Sequence, residues 1–492
     1  MKPATSGPIN ALDRHIALAG FMGAGKTTLG SDLGLALGRD FIDVDAEIER
    51  DAGTSISEIF ASKGESEFRL LEERRIRDAL AAHEPAVIAL GGGALGAEAT
   101  RIALRERAFT ILVEVDVGKA WRRVGTSATR PLASDEATFR KLFAERLPVY
   151  RDCADAACSD LDGAILAAGG VEVAAGALAR LGELVPKQGN ISLVSDENVA
   201  GLYLAAATEA LGERLVSTHV LPPGEEAKTF ASFQRLLEQL PLERGDLIVA
   251  LGGGCVTDVA GFAAATYMRG IAWVSVPTSL VGQVDAGAGG KTGINIASGK
   301  NLVGAFHWPA STVIDPDLLA TLPEKERREG MAELVKHGVL LGEKVWELPD
   351  AEMVRRSAAY KLRVVLRDPH EHGVRATLNL GHTFAHALET AGAYGSPTHG
   401  EAVALGLVAA LRLSIERYGL DPSWLAAVEE QLEPRPVAVD RDLAWTALFR
   451  DKKVAGGTPK FVLVEAPGKP VWGVELGEDE ARRALNELIA GS

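Results

Sequence analysis

The chain has 492 residues, 47% of them hydrophobic and 24% charged, with a formal net charge of −15. That length is too great for one hydrophobic core, so two or three globular domains are expected. The acidic balance argues against a nucleic-acid or anionic-membrane surface, and any anionic substrate must be met by locally clustered basic residues.

Only three cysteines occur, Cys153, Cys158 and Cys255. They form no disulfide framework and lack the spacing of a redox or zinc pair, which suits a reducing compartment. Met1 to Arg14 contains no apolar core of a secretory signal, and no apolar run approaches the roughly 18 residues of a membrane span. A soluble cytoplasmic protein is expected.

His15 to Gly20 reads as a buried strand. Gly20-Phe-Met-Gly-Ala-Gly25-Lys26-Thr27 follows and matches the phosphate-loop pattern at every position. Leu29, Leu33 and Leu37 then show helical spacing, so the loop has the strand-before, helix-after context that the pattern requires. Loop amides at Gly23, Ala24 and Gly25 and the helix start at Thr28 would cradle ATP phosphates. Lys26 would neutralise their charge and the Thr27 hydroxyl would hold Mg²⁺. Phe41–Asp45, ending in the carboxylates Asp43 and Asp45, Ala86–Leu90, ending in Gly91-Gly92-Gly93, and Thr110–Val115 read as further strands. Strands alternating with helices predict a parallel sheet.

These elements, with Gly64-Glu-Ser-Glu-Phe-Arg69, Arg130-Pro-Leu132 and Arg146-x-x-x-Tyr150, resemble shikimate kinase over about residues 14–160. The resemblance implies that Asp45 binds the acceptor hydroxyls and is the base, while Asp43 supports the Mg²⁺ shell. It implies that Arg69 and Arg146 grip the shikimate carboxylate beside Gly91–Gly93, the bidentate task to which guanidinium is suited. Arg130 would lie on a lid, residues 125–134, closing over ATP.

Composition turns Ala- and Gly-rich between Cys153 and Ala179, which places a boundary near residue 165. Three parts are expected: a P-loop kinase domain (1–165), a Rossmann-like α/β part (166–322) and a mostly helical metal-binding part (323–492). In the second part Ile191–Ser195, Asp246–Leu251 and Trp273–Pro277 read as strands. From about Pro323 strand signals fade, and Arg327–Leu341, His382–Ala391 and Ala402–Tyr418 read as helices.

A second Gly-Lys-Thr lies at Gly290-Lys291-Thr292, with Asp285 where the phosphate-loop pattern has glycine. Ile294 and Ile296 alternate with polar residues after it, which predicts a hairpin. Without a helix N-terminus the loop lacks the dipole and amide cradle of a phosphate loop. Lys291 and Lys300 are expected to contact a charged ligand instead. Gly252-Gly253-Gly254-x-x-x-Asp258 follows a strand and suits a dinucleotide pyrophosphate. Glu333, His382 and His399 form a catalytic zinc set with an open position, and His386 lies one turn from His382.

With these motifs, residues of about 170–485 resemble 3-dehydroquinate synthase. The resemblance implies an NAD⁺- and Zn²⁺- (or Co²⁺-) dependent conversion of a heptulosonate phosphate to 3-dehydroquinate. The implied cofactor side comprises Asp196, Glu225, Lys228, the Gly253-Gly254-Cys255-Val256-Thr257-Asp258 run, Thr278, Ser279, Lys291, Lys300, Leu318 and Thr321. The implied substrate side comprises Asp285, Lys291, Asn301, Lys336, Lys361, Arg375, Asn379, His386 and Lys452 or Lys453. Arg269 matches a residue reaching a neighbouring subunit, which implies a homodimer. Ser279, Pro369, Cys255 and a short segment before Gly189 depart from the family pattern without removing a metal ligand. The whole chain is thus expected to be a bifunctional enzyme of aromatic biosynthesis acting on small molecules. A zinc polyol dehydrogenase fused to a nucleotide-sensing module is the alternative; the Lys291, Lys300, Lys336 and Arg375 cluster disfavours the dehydrogenase, and the acceptor set Asp45, Arg69 and Arg146 disfavours the sensing module.

Overall fold

The computed structural model describes residues 11–124, 135–297, 299–393, 395–450 and 459–490. The chain divides into two compact units, Met1–Val171 and Glu172–Ser492. No helix among the described residues is long and apolar enough to cross a membrane.

The first unit is built on strands β1 (His15–Ala19), β2 (Phe41–Asp43), β3 (Val87–Ala89), β4 (Ala108–Val113) and β5 (Ala156–Cys158). They form a parallel sheet in the order β2-β3-β1-β4-β5. Short, almost wholly apolar strands buried on both faces are what a helix-covered parallel sheet demands, and every residue of β1 and β4 is buried. Helices α1 (Lys26–Leu37), α2 (Val44–Ala52), α3 (Glu65–Leu80), α4 (Glu136–Cys153) and α5 (Leu161–Ala168) belong to the same unit. Gly25 caps α1 at φ 93°, a left-handed conformation that glycine enters without steric cost. The strand expected over Phe41–Asp45 stops at Asp43. Its carboxylate accepts from the Ala46 N–H and starts α2, so Asp45 stands on a first helical turn. Helix α5 packs on β4, β5 and α1, which carries the first unit past residue 165 to Val171.

The second unit contains β6 (Val171–Val173), β7 (Ile191–Asp196), β8 (Leu215–Leu221), β9 (Leu247–Gly252), β10 (Ala272–Pro277), the hairpin β11 (Lys291–Ile296) and β12 (Gly299–Phe306), and β13 (Ser311–Ile314). Its six-stranded sheet runs β6-β13-β10-β9-β7-β8. Chain order reverses between β9 and β7, the switch point where open parallel sheets bind ligands at their carboxyl ends. Asp196 ends β7 and Gly252 ends β9, and these strands lie side by side. Helix α6 (Glu197–Leu211) follows β7 and α7 (Gly254–Thr266) follows β9.

Beyond residue 323 run α8 (Glu324–Leu341), α9 (Asp350–Arg367), α10 (His382–Ala391) and α11 (His399–Tyr418). Val335, Val339, Leu380, Phe384, Leu388, Val403 and Leu407 share one apolar core among them. Strand signals do not end at Pro323 as expected. An antiparallel hairpin, β14 (Phe461–Ala466) and β15 (Lys469–Val474), packs β14 on α11. The apolar run Phe461–Val464 and the turn at Gly468 encode it. The α/β and helical parts, expected as separate domains, cluster as one compact unit.

Candidate active sites

In the first unit the loop after β1 and the end of β3 face one cavity of about 310 Å³. Gly23, Gly25, Lys26, Thr27, Thr28, Asp43, Asp45, Gly92 and Arg123 line it. The Lys26 ammonium donates to the Gly20 and Phe21 carbonyls at 2.8 and 3.2 Å, which holds the loop curved. Thr27 Oγ1 donates to Asp43 Oδ2 at 2.6 Å, so the two residues expected around Mg²⁺ already touch. Arg123, not anticipated from sequence, donates to the Gly23 carbonyl at 3.0 Å and lines a second cavity of about 580 Å³ alongside.

The acceptor set assembles on the other side of the glycine run. Arg146 donates to the Gly92 carbonyl at 2.8 Å, and the Tyr150 hydroxyl donates to the same oxygen. A Cβ on Gly93 would collide with the Arg69 guanidinium, and one on Gly91 would meet the Asp45 and Glu72 carboxylates. Side-chain-free backbone is therefore what admits these groups. Glu72, absent from the expected set, pairs with Arg69 at 2.7 Å and is 3% exposed. Burial raises its pKa against the opposing pull of Arg69. Its spacing of three from Arg69 on α3 is the signal that could have found it. Arg130 lies outside the described residues.

In the second unit the metal candidates converge. Ligand atoms of Glu333, His382 and His399 all lie within 4.8 Å of one another. The Nε2 atoms of both histidines stand 3.2 Å from the same oxygen, Glu333 Oε1. Their other ring nitrogens are engaged: His382 Nδ1 with the Leu380 carbonyl at 3.1 Å, His399 Nδ1 with Glu389 Oε1 at 3.3 Å. That leaves each Nε2 facing inward, the arrangement a divalent cation requires of imidazole ligands. Three N/O donors with an open fourth direction fit zinc or cobalt. Desolvation works against the charge on His399, but its bonds to Glu333 and Glu389 push its pKa up to about 10. Glu389 was not anticipated; it is the residue that orients His399.

Beside this group, Lys336 pairs with Glu333 and reaches Asp285 at 3.5 Å, and Lys361 pairs with Asp285. Burial would raise the Asp285 pKa, yet Lys361 and then Lys336 hold it well below the usual carboxylate range. Asp285, Glu333 and His337 also cluster within ligand distance. The two ammonium groups at Asp285 oppose a second cation there. Lys291 pairs with Glu371 at 2.7 Å, and Arg375 donates to the Pro369 carbonyl at 2.7 Å, so Pro369 serves the loop through its backbone. His386 stands one turn from His382 on α10, ring centres 5.7 Å apart, and Asn379 ends the turn preceding that helix.

The expected cofactor residues gather around the end of β9. Gly253 caps α7 in extended conformation, and Ser279 is the nearest group that a Cβ there would meet. The N–H groups of Val256 and Thr257 already bond to the Gly253 carbonyl, and both side chains are buried. The expected amide cradle therefore narrows to Gly253–Cys255, because the helix has already used the later amides. Burial pushes the Cys255 thiol up to about 12. Asp196 caps α6 through the Asn198 and Val199 N–H groups. The Thr278 N–H donates to the Gly252 carbonyl at 3.0 Å, Thr321 meets the Tyr203 hydroxyl, and Leu318 is buried beneath. Lys228 donates to Asp258 at 2.6 Å and to the Asn301 side chain, joining the two expected ligand sides. Lys300 pairs with Glu225 at 3.3 Å. Arg269 occupies an exposed left-handed turn after α7 and takes no part in these networks. Lys452 and Lys453 lie outside the described residues.

Residues 22–168 match the family model described as shikimate kinase, 218–329 that of the 3-dehydroquinate synthase N-terminal region, and 330–454 that of its C-terminal region. A 3-dehydroquinate synthase of Gloeobacter violaceus is 41% identical over 340 residues, covering 64% of this chain and 94% of that protein. One from Halalkalibacterium halodurans is 39% identical, covering 65% and 95%. A 2-epi-5-epi-valiolone synthase from Streptomyces hygroscopicus, solved with NAD⁺ and Zn²⁺ bound, superposes with a TM-score of 0.58 at 28% identity, covering 65% and 96%. A 2-deoxy-scyllo-inosose synthase complexed with carbaglucose-6-phosphate, NAD⁺ and Co²⁺ gives 0.58 at 26%, covering 64% and 96%. The chain belongs to the 3-dehydroquinate synthase family and carries a shikimate kinase domain ahead of its synthase region.

Proposed function

We propose that one polypeptide performs two reactions of aromatic biosynthesis. Its first unit phosphorylates shikimate from ATP, and its second converts 3-deoxy-D-arabino-heptulosonate 7-phosphate to 3-dehydroquinate and phosphate. The observation that carries the synthase reading is the convergence of Glu333, His382 and His399 beside an ionised Asp285 flanked by Lys336 and Lys361. A polyol oxidised for its own sake has no phosphate to offer such a cation cluster.

Zinc or cobalt held by the three ligands would polarise the hydroxyl being oxidised and the carbonyl replacing it, while NAD⁺ would accept and return the hydride. The chain's own groups set the geometry. Asp285 accepts hydrogen bonds from substrate hydroxyls while its two lysines keep it ionised. Lys291, Arg375, Asn379 and His386 suit phosphate and carboxylate. Lys228 and Glu225 would serve the ribose of the dinucleotide.

In the kinase unit, ATP with Mg²⁺ would supply the phosphoryl group at the Lys26 loop, with Thr27 and Asp43 on the metal side. Asp45 accepts the hydrogen bond of the attacking hydroxyl and takes its proton as the new O–P bond forms and the bond from the γ-phosphorus to the bridging oxygen breaks, releasing ADP. The Arg69–Glu72 pair presents a fixed guanidinium to the shikimate carboxylate. We further propose a homodimer through the synthase half, with Arg269 offered to the second copy.

The test is a paired assay on the purified full chain. Chelator-sensitive phosphate release from the heptulosonate phosphate and shikimate-dependent ADP release are both expected. Net NADH production from polyols without phosphate release would sink the synthase reading. Nucleotide binding without shikimate-dependent turnover would sink the kinase reading.

A further inference from the structure

The β11–β12 hairpin slips register between Ile294 and Ile296: Lys300, Asn301 and Leu302 of β12 stand against Asn295 alone, so β12 carries the bulge, at Asn301. A bulge re-aims the side chain it carries. Both ends of the Asn295 carboxamide are used. Its Nδ2 donates to Glu225 Oε2 at 2.6 Å, and its Oδ1 accepts from the Asn301 backbone N–H at 2.9 Å. A carboxylate only accepts and an amide N–H only donates, so chemistry dictates which way the group points. Asn301 is thereby held at φ 53°, a left-handed conformation that a non-glycine residue keeps only where its surroundings impose it. The side chain of Asn301 in turn accepts from Lys228, which is paired with Asp258.

We propose that Asn295 is a positioning residue that couples the cofactor and substrate subsites of the synthase unit. The inference rests on the synthase reading above, in which Glu225, Lys228 and Asp258 serve the dinucleotide and Asn301 serves the phosphorylated substrate. Through one carboxamide, Glu225 and the Asn301 turn move as a unit. The ligand that arrives first orders the hairpin, and the second meets an arrangement already set. Such coupling is reciprocal: each ligand tightens the other by the same factor. Serine is too short to span both partners. Aspartate keeps the acceptor for Asn301 but sets a second carboxylate against Glu225.

The experiment varies NAD⁺ and heptulosonate phosphate against each other in the full-length protein, reading initial rates of phosphate release. In the wild type the KM for NAD⁺ falls as the sugar acid phosphate rises. Asn295→Ala is expected to abolish that dependence and to raise the KM for NAD⁺ about tenfold, the size of one hydrogen bond to a charged group. Asn295→Asp is expected to raise it further, while kcat with both ligands saturating changes much less. Shikimate-dependent ADP release by the same preparations sets the concentration of active chain, and urea unfolding reports an intact synthase unit. Retention of the wild-type dependence in Asn295→Ala overturns the proposal, as does a loss that appears only as a matched fall in kcat and thermal stability. A wild-type protein that turns over but shows no mutual dependence of the two KM values overturns it too. A wild type that releases no phosphate at all removes the synthase reading, and this role with it.

Discussion

Asp285 sits where two buried lysines need it. Lys336 is 1% exposed and Lys361 8%, and their ammonium groups face its carboxylate. Removing that charge leaves two buried cations without their shared counterion, so Asp285→Asn is expected to destabilise the synthase unit by about 3 kcal/mol at neutral pH. Its folded pKa lies below the unfolded value, so the stabilisation is complete above the unfolded pKa and is lost as pH falls through the folded one. The gap between wild type and Asp285→Asn, measured by urea unfolding, should therefore be widest near neutrality and narrow below about pH 4. Glu389 acts at one remove, through the His399 ring. Glu389→Gln is expected to weaken metal binding about 10- to 100-fold, read by chelator competition, with kinase turnover unchanged. Glu72→Gln should raise the shikimate KM about tenfold by freeing Arg69 from its charged anchor, with a smaller change in the KM for ATP. Among these residues, Asp285 was legible as the mismatch in a glycine motif. Glu389 was not, because its partner His399 lies on another helix and no spacing rule links them.

At the scale of elements, the metal ligands depend on how α10 and α11 meet. Their backbones approach at Gly381 and Gly406, where a Cβ on Gly406 would collide with the Gly381 carbonyl. Gly381 immediately precedes His382, and Gly406 lies two turns from His399 on α11. Gly406→Ala should force the helices apart at a cost of about 2 kcal/mol, in the range of overpacked cores. Both histidines would shift together, so metal content by atomic absorption should fall along with thermal stability. The helices themselves were legible in their apolar spacing, and so was the turn from phosphate loop into α1. The pairing was not: periodicity shows which face is buried, not which helix covers it. The β14–β15 hairpin escaped for a related reason. Its apolar run is short, and short runs do not distinguish strand from buried helix.

At the scale of the molecule, the two chemistries occupy separate compact units. Glu333→Gln should abolish dehydroquinate formation and leave shikimate-dependent ADP release intact, and Lys26→Ala should do the reverse. Joint loss in either folded variant would show that the units are energetically linked. The amino-acid sequence by itself determined the two family resemblances, the candidate ligand set Glu333, His382 and His399, and the unlike fates of the two Gly-Lys-Thr loops. These are written in local order: a motif, its spacing, and the helix or strand that follows. Tertiary structure alone decided which charges meet. Glu389 behind His399, Lys228 against Asn301 and the lysines around Asp285 are pairs whose worth depends on distance and burial. Those quantities arise only when segments far apart in the chain are brought side by side and water is removed from between them.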